Sequence, residues 1–204
     1  MIPQVDIDDY TLTLQVGRGS EEPLELTFDK LKQMPQHSVD VCLACAGNKR
    51  SFLQKVHDVK GLSWNIGAVS NQKFTGVPIR HILLNVMGLK EENLIGKHLV
   101  AVSLDADFQG KHFEVSIPME RALDPRNEII LAYSQNDEDI PEVHGYPVRL
   151  VCPGYIAVRS AKWVKALIVS DEEADSTPQR RDYKIVKETD ITKVDWSKYQ
   201  PVFG

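Results

Sequence analysis

The sequence predicts an α+β domain built on a single mixed sheet. Three observations carry this. Strand-like stretches of β-branched and apolar residues outnumber helical ones by roughly three to one, against base rates that favour helix. Strands and short helices mix without the regular rhythm of a parallel strand–helix–strand fold. The 204 residues, 42% of them apolar, suffice for one sizeable core and leave no room for several domains. Residues 1–204 are therefore read as one unit, with no internal repeat and no low-complexity linker.

The elements follow in order. Tyr10 to Val16 alternates apolar and β-branched residues, the period of a half-buried strand. Gly17 to Pro23 is a turn, Leu24 to Phe28 a second strand, and Phe28 to Met34 a helical turn or two stopped by Pro35. Val39 to Ala44 is a short apolar run, expected to be a buried strand. Val77 to Leu89 is the best helix: Pro78 suits its first turn, Ile79, Ile82, Leu83, Val86 and Met87 share a face, and Gly88 ends it. Leu99 to Leu104 and His112 to Ser116 are strands, with Asp105, Asp107 and Gly110 in the loop between them. Ser116, Pro118 and Glu120 cap and open a short helix. Glu128 to Tyr133, Pro147 to Cys152 and Val164 to Val169 complete the strands; Asp171 to Arg181 is polar and turn-rich.

Composition excludes several functions. A net charge of −5 argues against a nucleic-acid partner. No apolar run approaches the ~18 residues that a membrane-spanning helix needs, and MIPQVDIDDY has the pattern of neither a signal nor a transit peptide. Three cysteines are too few for a disulfide framework and point to a reducing compartment or to thiols kept for chemistry.

The densest chemistry lies between Cys42 and Trp64. Cys45 follows the apolar strand and precedes Ala46, Gly47 and Asn48, a small-residue turn in which Gly or Asn accommodates positive φ. Lys49 and Arg50 come next. A thiol beside fixed positive charge is poised as a thiolate, either a nucleophile or a soft metal ligand. Cys42 and Cys45 also form a C-x-x-C, the spacing of a redox dithiol or half a zinc site. Further zinc ligands at suitable spacing are missing, and Cys42 lies inside the strand, where it reads as a buried structural cysteine. A second cluster, His144 to Trp163, holds His144, Arg149, Arg159, Ser160 and Lys162. Such cations can neutralise a phosphate or pterin-type anion, or form a solvated face. Arg180, Arg181 and Tyr183 form a third group, readable as an anion pocket or as a surface loop.

Together these stretches resemble the molybdopterin domain of the sulfite oxidase family. CAGNKR at 45–50 resembles that family's CAGNRR. KGLSWNIGAVS at 60–70 resembles its KGLPWDIGAIS. HGYPVRLVCPG at 144–154, RSAKW at 159–163, QRRDYK at 179–184 and DW at 195–196 follow in family order. The resemblance implies the sulfite oxidase molybdopterin-binding fold, a molybdenum–molybdopterin cofactor and oxidation of sulfite to sulfate, with electrons passed to cytochrome c or oxygen. It implies Cys45 as the protein ligand to molybdenum. It implies Asp107, His144, Arg149, Ser160 and Lys162 as cofactor-binding residues, and Arg50, Lys60, Trp64 and Tyr183 as the substrate pocket. Nitrate reductases share CAGNRR, but their tryptophan segment resembles KGFNWGSAGVS, further from Lys60–Ser70. Relative to the family the chain lacks an upstream F-x-R-N-H segment, a cytochrome b5-like domain and the immunoglobulin-like domain through which members form homodimers; two pocket arginines are expected in those missing parts. The alternative expectation is thus a shortened domain that binds cofactor without turnover. By resemblance the compartment is the mitochondrial intermembrane space, the peroxisome or the cytoplasm, with no membrane contact.

Overall fold

In the computed structural model, which describes residues 2–59, 61–107, 109–188, 190–199 and 202, the strands divide between two sheets. In chain order they are β1 (Thr11–Val16), β2 (Leu24–Thr27), β3 (His37–Ala44), β4 (Val69–Pro78), β5 (His98–Ala106), β6 (His112–Pro118), β7 (Ile130–Gln135), β8 (Glu138–Asp139), β9 (Arg149–Val151) and β10 (Val164–Ser170). The helices are short: α1 (Phe28–Lys32), α2 (Arg50–Leu53), α3 (Ile79–His81) and α4 (Met119–Leu123).

The first sheet has the order β2-β1-β10-β5-β6 and is mixed, because β1 runs parallel to β10 while the other neighbours are antiparallel. The second, β3-β4-β7-β8 with β9 also on β7, is antiparallel throughout. The α+β class with mixed strand directions stands, spread over two sheets. Alternation explains the packing: Leu12 and Leu14 of β1 turn inward with Leu99, Val115 and Leu167 of the same sheet. They meet Val77, Leu131 and Leu150 of the second sheet, and Ile79, Ile82 and Leu83 beside them. Burying each such side chain contributes about 1.5–3 kcal/mol. Tyr10 ties the start of β1 to β10, its hydroxyl donating to the Val164 carbonyl at 2.6 Å.

Several local expectations change. The helix expected from Val77 starts at Ile79, because Val77 and Pro78 close β4 and Pro78 holds an extended ψ of 130°. Beyond α3 the chain widens into a π-type turn at Ile82–Val86, with the Met87 N–H donating to the Ile82 carbonyl at 2.9 Å, and Gly88 (φ 65°) ends it. Of the apolar stripe, Ile79, Ile82 and Leu83 are buried, and Val86 and Met87 pack against the core half-buried. Ser116 is not a helix cap: it lies in β6, and its hydroxyl accepts the Ala174 N–H at 2.8 Å. β3 starts at His37 and is one-sided. Val39, Val41 and Leu43 face the core, while Cys42 on the other face is exposed. The reading of Cys42 as a buried structural cysteine is therefore wrong. β3 is the edge strand of its sheet, and strand alternation sends Cys42 to the outer face.

Candidate active site

The site forms where the end of β3 meets the loop after β9. Ala44 pairs with Ile156 in an isolated parallel bridge, which sets the Cys45 turn against the chain leading to Ser160 and Lys162. The Cys45 N–H donates to the Ala68 carbonyl at 2.9 Å, and Cys45 Sγ accepts the Gly47 N–H at 3.4 Å. The left-handed residue of this turn is Lys49 (φ 65°), not Gly47 or Asn48. Gly47 serves close approach instead: a Cβ there would lie 2.7 Å from Trp64 Cζ2 and 2.8 Å from Arg50 Nη2.

Arg50 opens α2. Its Nη1 donates to the Leu62 carbonyl at 3.0 Å, and its guanidinium carbon lies 4.8 Å from the Trp64 ring centroid. Such stacking fixes a cation without a carboxylate partner that would neutralise it. Trp64 Nε1 is buried with no hydrogen-bond partner among the described residues. Tyr183 completes the group. Burial raises its phenol above the ordinary range; the Cys45 and Asp182 charges raise it further, while Arg50 and Arg159 oppose. Tyr183 thus shares one electrostatic environment with Cys45 and Arg50.

A cavity of about 280 Å³ is lined by Asp105, Phe113, Ala157, Ser160, Lys162 and Trp163 among others. Behind it Arg149 is 7% exposed. Its Nη1 donates to the His144 carbonyl at 2.8 Å and its Nη2 to the Ser160 carbonyl at 3.1 Å, while the Phe74 ring centroid lies 5.2 Å from its guanidinium carbon. Its Nε is buried and has no hydrogen-bond partner among the described residues. Burial lowers its pKa to about 10, which leaves it charged at neutral pH. Lys162 Nζ donates to the Val143 carbonyl at 2.9 Å; burial and then Arg149 lower its pKa, and Asp105 opposes. Burial raises the Asp105 carboxyl, and its Oδ1 is buried without a described hydrogen-bond partner. Trp163 adopts φ 49°, a strained conformation for a bulky residue, with its Nε1 donating to the Glu142 carbonyl at 2.7 Å.

The structure thus gathers Cys45, Arg50, Trp64 and Tyr183 in one place and Arg149, Ser160 and Lys162 in the next. Some expected residues take other postures. His144 is exposed; its carbonyl meets Arg149, and its Nδ1 lies 3.1 Å from Gln135 Oε1. The Ser160 hydroxyl accepts the Cys152 N–H at 3.0 Å. Asp107 is exposed, and its Oδ1 accepts the N–H groups of Gln109 at 2.9 Å and Lys111 at 3.0 Å, which commits it to the β5–β6 turn. The carboxylate lining the cavity is Asp105. Sequence reasoning passed over it because LDAD was placed in a loop, whereas β5 continues through Ala106 and aims Asp105 by strand geometry. Lys60 lies outside the described residues. Cys152 is buried, with its thiol pushed up to about 12 by burial and donating to the Arg159 carbonyl at 3.5 Å, so it is structural.

The model of the oxidoreductase molybdopterin binding domain matches residues 1–178. The chain belongs to this family. Within it, the chain is similar to the mitochondrial sulfite oxidase of Drosophila melanogaster, at 39% identity over 97% of this chain and 34% of that protein. It is 39% identical to the human mitochondrial sulfite oxidase over 90% of this chain and 33% of that one. NADH nitrate reductase 1 of Nicotiana tabacum is 34% identical over 91% of this chain and 20% of its own length. The chain therefore spans about a third to a half of the curated sulfite oxidases it matches. The crystal structure of the sulfane dehydrogenase SoxCD from Paracoccus pantotrophus shares the fold, with a TM-score of 0.72 at 30% identity over 90% of this chain and 43% of that one. As in the sequence reading, no helix among the described residues is long and apolar enough to cross a membrane.

Proposed function

We propose that this chain is the molybdenum–molybdopterin-binding unit of an oxidoreductase that oxidises sulfite to sulfate. The observation that carries the proposal is the cluster of Cys45, Arg50, Trp64 and Tyr183 together with buried polar atoms left without a partner, one lining the cavity by Lys162 and one on Arg149. Unpartnered, such atoms cost about 1–3 kcal/mol each. Arg149 Nε and Asp105 Oδ1 are of this kind. A pterin, with ring donors and acceptors and an anionic phosphate, matches this donor set.

The residues then have distinct tasks. Cys45 supplies a soft thiolate to molybdenum. Arg149, Lys162 and Asp105 hold the pterin and its phosphate, with Ser160 and His144 contributing through the backbone geometry they share with Arg149. Asp107 holds the turn behind them. When bound, the cofactor supplies the two-electron redox chemistry, and water supplies the added oxygen; two protons and two electrons leave, the electrons to cytochrome c or oxygen. Arg50 binds the sulfite dianion, Trp64 fixes the guanidinium, Lys60 adds positive charge, and Tyr183 donates a hydrogen bond to an oxyanion oxygen. The tobacco relative favours nitrate reduction as a second reading, and a chain that spans about a third to a half of its sulfite oxidase relatives can also bind cofactor without turnover.

Molybdenum content, measured by mass spectrometry on chain made in a host that produces the cofactor, tests the proposal together with a sulfite assay using an artificial acceptor. Near-stoichiometric molybdenum and turnover of about 1 s⁻¹ or more support it. Molybdenum without turnover of either anion favours the cofactor-binding reading, faster turnover of nitrate the nitrate reading, and a folded chain that takes up no molybdenum rejects all three.

Two variants refine the roles. Arg50→Gln is expected to raise KM for sulfite by about 100-fold, the loss of a charge-assisted contact of about 2–3 kcal/mol, with molybdenum content unchanged; parallel loss of metal would make Arg50 structural. Arg149→Met is expected to lower molybdenum content at least about tenfold while moving the thermal midpoint little, because an apolar side chain of similar length removes a desolvated charge. Full metal content in that variant would separate Arg149 from cofactor binding.

A further inference from the structure

Tyr183 is carried by the segment after β10, and that segment converges on one carboxylate. Glu173 Oε2 accepts from Gln179 Nε2 at 3.1 Å, and Oε1 accepts from Lys184 Nζ at 3.2 Å. Arg180 Nη1 lies 3.7 Å from Oε1, and Arg180 Nη2 donates to the Glu173 carbonyl at 3.1 Å. Three side chains of residues 179–184, the stretch that includes Tyr183, therefore end at Glu173. The interactions are sheltered: side-chain exposure is 16% for Glu173 and 3% for Lys184. Lys184 Nζ also donates to the Trp196 carbonyl at 3.1 Å. Gln179 is fully buried, and its Oε1 accepts from both the Ser116 N–H and Arg159 Nη1. Among the described residues, the Tyr183 N–H donates to the Pro178 carbonyl at 3.3 Å and its carbonyl accepts the Val202 N–H at 2.7 Å. The π-type turn at Pro178–Asp182 ends at Tyr183, with the Gln179 and Arg180 N–H groups donating to the Ser176 carbonyl at 3.1 and 2.8 Å, and the side chains of Gln179, Arg180 and Lys184 add their own anchors on either side of the tyrosine.

We infer that Glu173 is the positioning residue for Tyr183, fixing where the phenol stands relative to Cys45 and Arg50 by anchoring Gln179, Arg180 and Lys184. The inference rests on the reading of Tyr183 as the oxyanion donor. Its physical basis is that charge-assisted hydrogen bonds sheltered from water are short-ranged and directional, so one largely buried carboxylate that accepts from Gln179 and Lys184 and pairs with Arg180 adds side-chain anchors to the backbone bonds of the segment. A donor displaced by about 1 Å loses about 100-fold in rate while substrate held elsewhere is still bound.

The test is Glu173→Gln, which keeps size and removes charge. Expected in the molybdenum-loaded chain is a kcat lowered about 10- to 100-fold, with KM for sulfite and molybdenum content each within about twofold. In a Tyr183→Phe background the same substitution is expected to cost nothing further, because both act through one hydroxyl. Hydrogen exchange of the chain without cofactor gives a second readout: faster exchange confined to residues 178–184. Lys184→Met is expected to repeat both results and serves if Glu173→Gln does not fold. Glu172→Gln removes an exposed carboxylate 3.2 Å from Arg180 and is expected to change neither. Unchanged local exchange with unchanged kcat overturns the inference, as does an equal loss in the Tyr183→Phe background. Faster local exchange in a chain that oxidises no sulfite keeps the anchoring of the segment, refutes the role in catalysis, and identifies the sulfite reading as the part that failed.

Discussion

Cys45→Ser is expected to yield a folded chain that no longer oxidises sulfite. Cys45 is half-buried, and its sulfur accepts one weak hydrogen bond, from the Gly47 N–H, which a serine oxygen can also accept. Stability should therefore change by no more than about 0.5 kcal/mol. Turnover should fall by more than about 100-fold, since losing even an outer partner of a metal ligand costs 10- to 100-fold. X-ray absorption of the loaded variant should show one sulfur fewer around molybdenum. The other two cysteines cannot substitute. Cys42 is exposed on the outer face of β3, and Cys152 is fully buried and held as a thiol. An unchanged sulfur count would remove Cys45 from the metal and, with it, the assignment of the surrounding pocket.

The family, and the segments that form the candidate site, were legible in the sequence, for reasons that can be named. Motifs such as CAGNKR and HGYPVRLVCPG are contiguous, and the neighbours their glycines approach are near in the chain: Trp64 and Arg50 beside Gly47, and Lys162 beside Gly145. Which face of β3 meets the core follows from its alternation, and Asp40, two residues before Cys42 on the same exposed face, carried that signal; reading Val39 to Ala44 as one buried apolar run hid it. What was not legible depends on pairing between distant strands. The choice between Asp105 and Asp107 turns on where β5 ends: one residue inside the strand aims at the cavity, and one beyond it caps a turn. The role of Glu173 was hidden for the same reason, because an acidic residue in a polar stretch reads as solvated surface until Gln179, Arg180 and Lys184 are seen to converge on it.

The same dependence on strand pairing produces the largest expected loss of stability, at a glycine with no chemistry of its own. Gly76 lies in β4 opposite Ala132 of β7, next to a shift in register between Thr75 and Gly76. A Cβ there would come within 2.1 Å of the Leu131 carbonyl oxygen, 2.5 Å of Ala132 Cα and 2.6 Å of the Leu131 carbonyl carbon. All three are backbone atoms, so no rotamer change relieves the clash; the strands must part. Parting them exposes Val77, Leu131 and Phe74, each buried in the core. Gly76→Ala is therefore expected to cost more than about 4 kcal/mol, a large share of the 5–15 kcal/mol that holds a domain of this size together. Urea unfolding followed by tryptophan fluorescence measures it directly. Cofactor retention should fall with stability, because Phe74 supports the Arg149 guanidinium from the same strand. A midpoint within about 0.3 M urea of the parent, a change below about 1 kcal/mol at the usual slope, would mean that β4 and β7 can separate locally at little cost, and that the shelf under Arg149 is softer than its packing implies.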